Sequence, residues 1–369
     1  MSKVYDFKNI VDKFNFEGEF IEAQSHICGH INDTYILTFK KENKEEIKYI
    51  LQKINTNIFQ NPDELMDNIE NVTNHIKVKV KSEDGDIFRE TLNIIKTKDN
   101  KNYYRTKDND CFRAFIYITN AKTYQMVEEP IHMYKCGKAL GKFQKQLADF
   151  EVKKLYETIK DFHNTKKRYE DFLGVIEEDP HKRVDAVKED IDFVLKRKND
   201  CEVLVNLIYS GDIPLRVTHN DTKFNNIMID EETDEAIAVI DLDTVMPGLT
   251  AYDFGDSIRS GATTALEDET DLSKVRFDIN LYENFVKGFL EETKDSLNKI
   301  EIDNLAFGAK LMTFECGMRF LMDYINGDVY FKIQRENHNL DRARNQFKLV
   351  RDMEEKMDEM KDIVIKYSK

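Results

Sequence analysis

The sequence predicts an α+β protein with two lobes, a small one built on an antiparallel sheet and a larger one that is mainly helical. Residues 1–118 contain runs in which apolar and polar residues alternate, which is the two-residue period of β-strands. The later part of the chain repeats apolar residues at three- and four-residue steps, as amphipathic helices do. With 369 residues the chain is long enough for two cores. We expect one lobe over residues 1–118 and the other over 119–369, with a junction near 118–122.

The small lobe is predicted to contain an acidic helix, residues 63–75, and six strands: 19–24, 34–39, 46–54, one at Val78, 91–95 and 111–118. A loop with a single glycine lies between the first two strands. The third strand leaves one question open. Successive side chains of a strand point to opposite faces, so either Gln52 or Lys53 lies on the face that would form a site. A register error of one residue exchanges the two.

In the larger lobe, Pro130 begins a predicted core helix in which Leu140, Phe143 and Leu147 recur at helical spacing. Charged helical segments are predicted up to Lys198. A short hairpin follows, with strands over 226–229 and 236–240 and a polar turn over 230–235. The chain is predicted to end in a helix that places Val350, Met353, Met357, Met360 and Val364 on one packing face.

Polar side chains are concentrated at the two ends of this hairpin. The first strand follows a run spaced as HxDxKxxN, and two aspartates follow the second strand: His219, Asp221, Lys223, Asn226, Asp241 and Asp243. Phosphoryl transfer from a nucleotide needs a carboxylate at the acceptor hydroxyl, oxygen ligands for Mg²⁺, and a cation near the γ-phosphate. The hairpin provides a residue for each of these tasks.

Each polar residue can be given a role from its chemistry. Asp221 is the predicted carboxylate at the acceptor hydroxyl, and Lys223 is the predicted cation near the γ-phosphate. Asn226 and Asp241 are predicted to be Mg²⁺ ligands, because hard cations prefer carboxylate and amide oxygens. His219 is predicted to support the loop by hydrogen bonds. The alternative is a hairpin whose polar groups only satisfy its own turns.

The same spacing resembles the catalytic loop and metal-binding aspartate of the protein kinase-like superfamily, in its aminoglycoside phosphotransferase branch. Within that branch, IDLDTVMPGLTAYDFGDSIRSGA at 240–262 is similar to the N-acetylhexosamine 1-kinases. Four further segments share the resemblance: GHINDTY at 29–35, LQKINTNIF at 51–59, ETIKDFHNTKKRYEDF at 157–172 and MRFLMDYINGDVYFK at 318–332. The resemblance covers nearly the whole chain. It implies a bilobal kinase-like fold that uses ATP and Mg²⁺ to phosphorylate a sugar, most specifically the anomeric hydroxyl of an N-acetylhexosamine such as GlcNAc or GalNAc.

In the small lobe, the resemblance implies that Gly29, Thr34 and Lys53 bind the nucleotide. The charge of Lys53 suits the α- and β-phosphates, whereas a solvated lysine is the alternative. Its carboxylate partner would be Glu64 or Glu70.

Further along the chain, residues 119–121 would form a hinge that receives the adenine edge. Asp253 matches a position that supports the catalytic loop. Asp243 and Arg319 are candidate substrate contacts, with a metal or basic side chain as the alternative partner of Asp243 and a structural ion pair as the alternative role of Arg319. Asp256 and Arg259 of the same motif have no assigned role.

Other functions remain open at this point. AVIDLDTVM also resembles the first motif of haloacid dehalogenase-like phosphatases, in which an apolar strand ends in two aspartates. That motif usually opens a long series of strand and helix units, whereas the residues that follow Asp243 here are predicted to be mostly helical. Phosphorylation of an aminoglycoside or another small alcohol is a second alternative. A pseudokinase is a third, but it would lack a catalytic group, and none is missing here.

Composition limits the partners. A formal net charge of -15 argues against nucleic acid or an anionic membrane as partner, because either would need a basic surface. The five cysteines show no metal-binding spacing and are predicted to be reduced thiols. The first ten residues are too charged for a signal peptide, and no apolar run reaches the roughly 18 residues that a membrane helix needs. We therefore expect a cytoplasmic protein whose oligomeric state the sequence does not predict.

Overall fold

The computed structural model describes residues 5–26, 31–124, 126–127 and 129–369. The chain divides into two compact units, Met1–Ala121 with Lys153–Ile159 and Lys122–Val152 with Lys160–Lys369. The division predicted from the sequence assigned residues 153–159 to the second lobe. They lie in the first unit, where the Asn68 side chain bonds to the backbone of Tyr156 through both its amide nitrogen and its carbonyl oxygen, at 2.8 and 2.9 Å. The hinge role of residues 118–122 stays a prediction.

The first unit is built on an antiparallel sheet with strand order β1-β2-β3-β6-β4, to which β5 adds by pairing with β6. Its elements are α1 (Phe7–Val11), β1 (Glu19–His26), β2 (Asp33–Lys40), β3 (Glu46–Ile54), α2 (Pro62–Ser82), β4 (Ile94–Ile95), β5 (Tyr104–Arg105) and β6 (Cys111–Ile116). The two-residue strand β7 (Ala121–Lys122) follows. One face of the sheet buries Leu37, Tyr49, Leu51 and Phe112 against Ile10 of α1.

The predicted acidic helix is longer than expected. Asn61 caps α2, and Pro62 occupies its first turn, where the missing N–H costs nothing. Val72, Ile76 and Val80 are buried at four-residue steps, so the apolar face of the helix continues past residue 75. The strand predicted at Val78 is therefore wrong. The strands predicted at 19–24, 34–39, 46–54 and 111–118 are confirmed within a few residues of their ends.

The second unit is mainly helical. Its helices are α3 (Pro130–Gln146), α4 (Thr165–Glu178), α5 (Lys188–Leu195), α6 (Asp200–Ser210), α7 (Thr250–Gly261), α8 (Ile279–Thr293), α9 (Lys299–Asp303), α10 (Leu305–Ile325), α11 (His338–Glu355) and α12 (Met357–Tyr367). The final predicted helix is thus two helices that meet at Lys356. No helix in the described parts of the chain is long and apolar enough to cross a bilayer.

Two short antiparallel ladders of the second unit frame the predicted catalytic stretch. β8 (Arg216–Thr218) pairs with β11 (Met246–Gly248), and β9 (Ile227–Asp230) pairs with β10 (Ala236–Val239). The hairpin predicted from the sequence is therefore confirmed. Because the loops 219–226 and 240–245 both run from one ladder to the other, they are held side by side.

Helices α7 and α10 approach each other closely at glycines. A Cβ atom added to Gly308 of α10 would lie 2.7 Å from the carbonyl oxygen of Ala251 in α7, and one added to Gly255 would meet the carbonyl oxygen of Gly308. The contact thus requires residues without side chains on both helices. It fixes the position of α7, which contains several of the candidate site residues.

We predict that Gly308→Ala lowers the free energy of unfolding of the second unit by about 1–3 kcal/mol, because the added methyl group must displace the backbone of α7. Gly174→Ala is the matched control, since a Cβ at that position in the interior of α4 meets no atom within 4 Å. The control should be neutral or stabilising by about 0.5–1 kcal/mol. Denaturant unfolding followed by circular dichroism measures both. Equal stability of the two variants would contradict the close approach of the helices.

Candidate active site

The loop that follows β8 is held by one buried carboxylate. Asp253 of α7 is 0% exposed. Its Oδ2 accepts hydrogen bonds from the His219 backbone N–H at 2.9 Å and from the Gln144 side-chain amide at 2.9 Å, and its Oδ1 accepts one from the Asn220 N–H at 2.7 Å. Burial raises the pKa of Asp253, while the donated hydrogen bonds oppose that change. The carboxylate therefore ties the loop to α7 and to α3.

Additional hydrogen bonds fix the conformation of this loop. Asn220 has a left-handed backbone with φ 63°, a conformation that asparagine tolerates better than most residues. Its side-chain amide donates to the carbonyl oxygen of Thr244 at 2.9 Å, across to the neighbouring loop. The Thr222 hydroxyl donates to the carbonyl oxygen of Asp253 at 2.6 Å, and the Ser257 hydroxyl donates to that of Thr222 at 2.9 Å.

His219 uses both ring nitrogens inside the loop. Nδ1 lies 3.2 Å from the backbone nitrogen of Asp221, and since an N–H can only donate, Nδ1 must accept. Nε2 lies 2.8 Å from the carbonyl oxygen of Ile240, so Nε2 must bear the proton. The ring is thus a neutral imidazole with both positions occupied, which suits a supporting residue and not a proton carrier.

Asp221 and Lys223 form an ion pair within the loop, with 2.8 Å between Lys223 Nζ and Asp221 Oδ1. Burial by itself would raise the pKa of Asp221, but the charge of Lys223 and its hydrogen bond outweigh burial and hold that pKa below its ordinary value. In return, Asp221 keeps the pKa of Lys223 above its usual range despite burial. The carboxylate is therefore ionised at neutral pH and ready to accept a proton.

The two predicted metal ligands are neighbours. The Ile240 N–H donates to the carbonyl oxygen of Asn226 at 2.9 Å, which places Asp241 beside Asn226. The Asn226 amide nitrogen donates to the carbonyl oxygen of Asp221 at 2.8 Å, so its Oδ1 points away from Asp221. Asp241 has a left-handed backbone, with φ 61°. One carboxylate and one amide oxygen are a donor set that fits Mg²⁺, which takes few protein ligands and fills its remaining positions with phosphate oxygens and water.

Two residues later, Asp243 lies in the 3₁₀ turn Leu242–Thr244 and is 4% exposed. Its predicted contact with substrate stays a prediction. The haloacid dehalogenase alternative does not fit this region. β10 pairs antiparallel with β9, and apart from β11 the residues 245–369, all of which are described, form helices and connecting loops. No series of strand and helix units follows the two aspartates.

Arg319 of α10 is surrounded by aromatic rings. The guanidinium carbon lies 5.2 Å from the ring centre of Phe162, 5.8 Å from that of Tyr330 and 5.5 Å from that of Phe331. Its neighbour on the helix, Glu315, is engaged by the His163 ring at 2.8 Å. Within the described part of the chain Arg319 makes no hydrogen bond or ion pair of its own, so its donors remain for another molecule.

In the first unit, Thr34 and Lys53 were each predicted to bind the nucleotide, but they lie on opposite faces of the sheet. Thr34 is opposite Gln52 in the ladder, and the Gln52 amide donates to the Thr34 hydroxyl at 3.1 Å. Lys53 lies on the other face, where its Nζ is 3.2 Å from Asp110 Oδ1. The residue before Lys53 therefore shares the face of Thr34. Gly29 lies outside the described residues.

One cation on the Thr34 face is Arg113 of β6, which is opposite Gln52 in the ladder. Its Nε and Nη2 both donate to Gln52 Oε1, at 3.0 and 2.9 Å. Since Gln52 in turn donates to Thr34, the hydroxyl proton of Thr34 is directed elsewhere. The carboxylate paired with Lys53 is thus Asp110, and neither Glu64 nor Glu70. Glu70 binds Lys96 and Asn102 instead. The backbone N–H of Glu64 donates to the Asn61 side chain that caps α2.

Several residues of the site were not identified from the sequence. Gln144 lies in a helix that was predicted only to pack in the core. A polar side chain next to the core residue Phe143 was the one sequence signal that it has a buried partner. Glu315 and His163 come from segments that are 152 residues apart. The pairing of Arg259 with Asp256 and Glu267 also went unrecognised, because Glu267 lies in a loop without a motif.

Comparison with known proteins gives one family match and several similar structures. Residues 101–287 match the phosphotransferase enzyme family. The structures include an aminoglycoside phosphotransferase from Alicyclobacillus acidocaldarius, with 12% identity, a TM-score of 0.61, and coverage of 99% of this chain and 98% of that chain. An amicoumacin kinase solved with AMP-PNP and Ca²⁺ has 12% identity, a TM-score of 0.58, and coverage of 95% and 94%. A Plasmodium vivax ethanolamine kinase has 18% identity, a TM-score of 0.54, and coverage of 88% and 82%.

At these identities the structural similarity shows the fold. It is the kinase-like fold with a small antiparallel sheet and a larger helical portion that the sequence predicted.

We predict that Lys223→Met raises the pKa of Asp221. Removal of the cation leaves burial as the dominant influence, and burial favours the neutral acid, so the carboxyl group should take up its proton at a higher pH than in the wild type. Carbon-13 NMR titration of protein labelled at the aspartate carboxyl groups, with Asp221→Asn to assign the resonance, measures the shift. Lys188→Met is the control, because Lys188 pairs with the exposed Asp185. It should leave the titration of Asp221 unchanged. An unmoved Asp221 titration in Lys223→Met would show that the ion pair does not set its protonation.

Proposed function

Because the chain belongs to the phosphotransferase enzyme family, we propose that it is a sugar kinase that uses ATP. Its acceptor would be the anomeric hydroxyl of an N-acetylhexosamine such as GlcNAc or GalNAc, and its product the sugar 1-phosphate. The observation that carries the proposal is the ion pair of Asp221 and Lys223 on a loop that Asp253 holds in place. The choice of sugar rests on the resemblance of residues 240–262 to the N-acetylhexosamine 1-kinases.

In the proposed reaction Asp221 accepts the proton of the acceptor hydroxyl. The acceptor oxygen forms a bond to the γ-phosphorus while the bond between that phosphorus and the β,γ-bridging oxygen breaks, and ADP leaves. Asp221 is ionised at neutral pH, as this role requires, because only the carboxylate form can accept the proton. Lys223 would place positive charge beside the transferred phosphoryl group.

Asn226 and Asp241 would hold Mg²⁺, with the amide and carboxylate oxygens as ligands. The bound ion would neutralise charge on the phosphate oxygens. In the first unit, Gly29 and Thr34 would contact phosphate oxygens. The hydroxyl of Thr34 suits this role because it accepts from Gln52 and so keeps its own proton for another acceptor. Lys53 is the weaker candidate of the three, since it is paired with Asp110 on the other face.

Arg319 is the described group that suits a neutral sugar better than an amino alcohol. Arg319 has its donors free for ligand oxygens, such as those of hydroxyl groups or an N-acetyl carbonyl, and Asp243 would contact a hydroxyl group. An ammonium group near Arg319 would be repelled. Two of the similar structures are nevertheless an aminoglycoside phosphotransferase and an ethanolamine kinase, so amino-alcohol acceptors are the alternative that the assay must include.

We predict that incubation with ATP, Mg²⁺ and N-acetylglucosamine or N-acetylgalactosamine yields a non-reducing, acid-labile sugar phosphate. Phosphorus NMR should show coupling to the anomeric proton, because one hydroxyl is positioned for transfer. Asp221→Asn should reduce kcat by at least about 100-fold, as expected for loss of a general base. The same screen should include free hexoses, aminoglycosides and ethanolamine.

Two results would contradict the assignment. Phosphorus coupled to the protons at carbon 6, in a product that still reduces copper, would exclude the 1-kinase and leave a sugar kinase of another regiochemistry. Turnover of amino alcohols or aminoglycosides alone would exclude the sugar as acceptor.

We predict that Asp241→Ala raises the Mg²⁺ concentration needed for half-maximal rate more than Asn226→Ala does, since a carboxylate binds a hard cation more strongly than an amide does. Rates across a Mg²⁺ titration measure the difference. Glu231→Ala, at the exposed turn of the same hairpin, is the control and should match the wild type. If both site variants also match the wild type, the metal ligands lie elsewhere.

A further inference from the structure

A buried carboxylate oxygen beside the catalytic loop has no hydrogen-bond donor. Asp256 of α7 is 7% exposed. Its Oδ1 accepts from Arg259 Nε at 2.8 Å, whereas its Oδ2 is fully buried and has no partner among the described residues. A buried charged oxygen that lacks a donor is costly, so such an atom is expected to receive one from a ligand.

The direction of Asp256 follows from its position on the helix. Asp256 and Ser257 follow Asp253 by three and four residues. Positions three to four residues apart share a helix face, so all three residues lie on one face of α7. Asp253 bonds to the catalytic loop at His219, and Ser257 bonds to it at Thr222. The face of α7 that contains Asp256 is therefore the face directed at the loop.

Electrostatics agree with this placement. Burial lowers the pKa of Lys223, whereas Asp221, Asp256 and Glu267 raise it. Arg259 acts on Asp221 as well, since its charge adds to that of Lys223 in lowering the Asp221 pKa against burial. Asp256 and its partners are thus close enough to the reacting pair to influence both of its members.

Arg259 is itself held in a fixed position. It is 4% exposed, and while Nε binds Asp256, its Nη1 donates to Glu267 Oε1 at 2.6 Å. The guanidinium group thereby joins α7 to the loop that follows it. This arrangement orients the Asp256 carboxylate, with Oδ1 bound to the arginine and Oδ2 left without a donor.

Asp256 bonds to Arg259, and the charge of Arg259 acts in turn on Arg319 of α10, whose donors have no hydrogen-bond or ion-pair partner among the described residues. The two helices pack against each other at Gly255 and Gly308. One group offers only acceptor positions and the other offers only donors. A hydroxyl group is complementary to either kind of group, because it both donates and accepts.

We propose that Asp256 is a specificity-determining residue whose Oδ2 accepts a hydrogen bond from an acceptor hydroxyl other than the one that is phosphorylated, with Arg259 and Glu267 as positioning residues. This inference rests on the proposed function, because it requires an acceptor with at least two hydroxyl groups.

The test pairs variants of Asp256 with deoxy analogues of the sugar that the wild type phosphorylates. One deoxy analogue should lower kcat/KM of the wild type by roughly 10- to 100-fold, the size expected for a hydrogen bond to a charged group. Asp256→Ala should show a similar loss with the complete sugar and little further loss with that analogue, because both changes remove the same contact. The KM for ATP should stay unchanged. Asp271→Asn, exposed in the loop after α7, is the control and should retain the wild-type pattern.

The proposal would be overturned if Asp256→Ala lowered kcat/KM by the same factor with every deoxy analogue as with the complete sugar. It would also be overturned if Asp256→Ala changed only the KM for ATP. Circular dichroism checks the folding of Asp256→Ala. If that variant is unfolded, Glu267→Gln replaces it and should weaken discrimination against the same analogue; unchanged discrimination would refute the inference. A wild type that phosphorylates only acceptors with a single hydroxyl group refutes both this inference and the sugar assignment. A sugar kinase with normal discrimination in Asp256→Ala refutes this inference alone.

Discussion

The candidate site depends on one buried anion. Asp253 satisfies two consecutive backbone N–H groups of the loop 219–226 and one side-chain amide of α3, and it does so without exposure to solvent. Hydrogen bonds to a charged group contribute about 1.5–3 kcal/mol each, and a buried partner left unpaired costs about as much. The loop cannot change its conformation without losing these bonds, so the orientation of Asp221 follows from the position of α7.

Much of this arrangement could be predicted, because its sequence signals are local. The predicted catalytic loop, the hairpin and the two aspartates after it lie within 25 residues, and their spacing alone led to the prediction of phosphoryl transfer. Asp253 was identified from resemblance. The sequence did not predict which of Gln52 and Lys53 shares a face of the third strand with Thr34. The two residues are adjacent, and only the pairing of β3 with β2 and β6 decides between them.

The remaining residues could not be found because their signals are distributed along the chain. Glu315 and His163 meet from distant helical segments, and Glu267 acquires a role only through Arg259. Their charges are partly cancelled in buried pairs, so composition does not reveal them. The formal net charge of -15 belongs to the whole chain and says little about the few cations near Asp221. Local pairing, not overall charge, sets the electrostatics there.

The first unit has a consequence for the way the protein is made. Its chain is interrupted, since residues 153–159 return to it after α3, and Tyr156 there binds the side chain of Asn68 in α2. Domains generally fold as units while synthesis proceeds from the N-terminus. During synthesis, the bonds between Asn68 of α2 and Tyr156 can form only after about forty residues beyond β6 have been made. A fragment that stops at residue 121 would lack both hydrogen bonds between Asn68 and Tyr156.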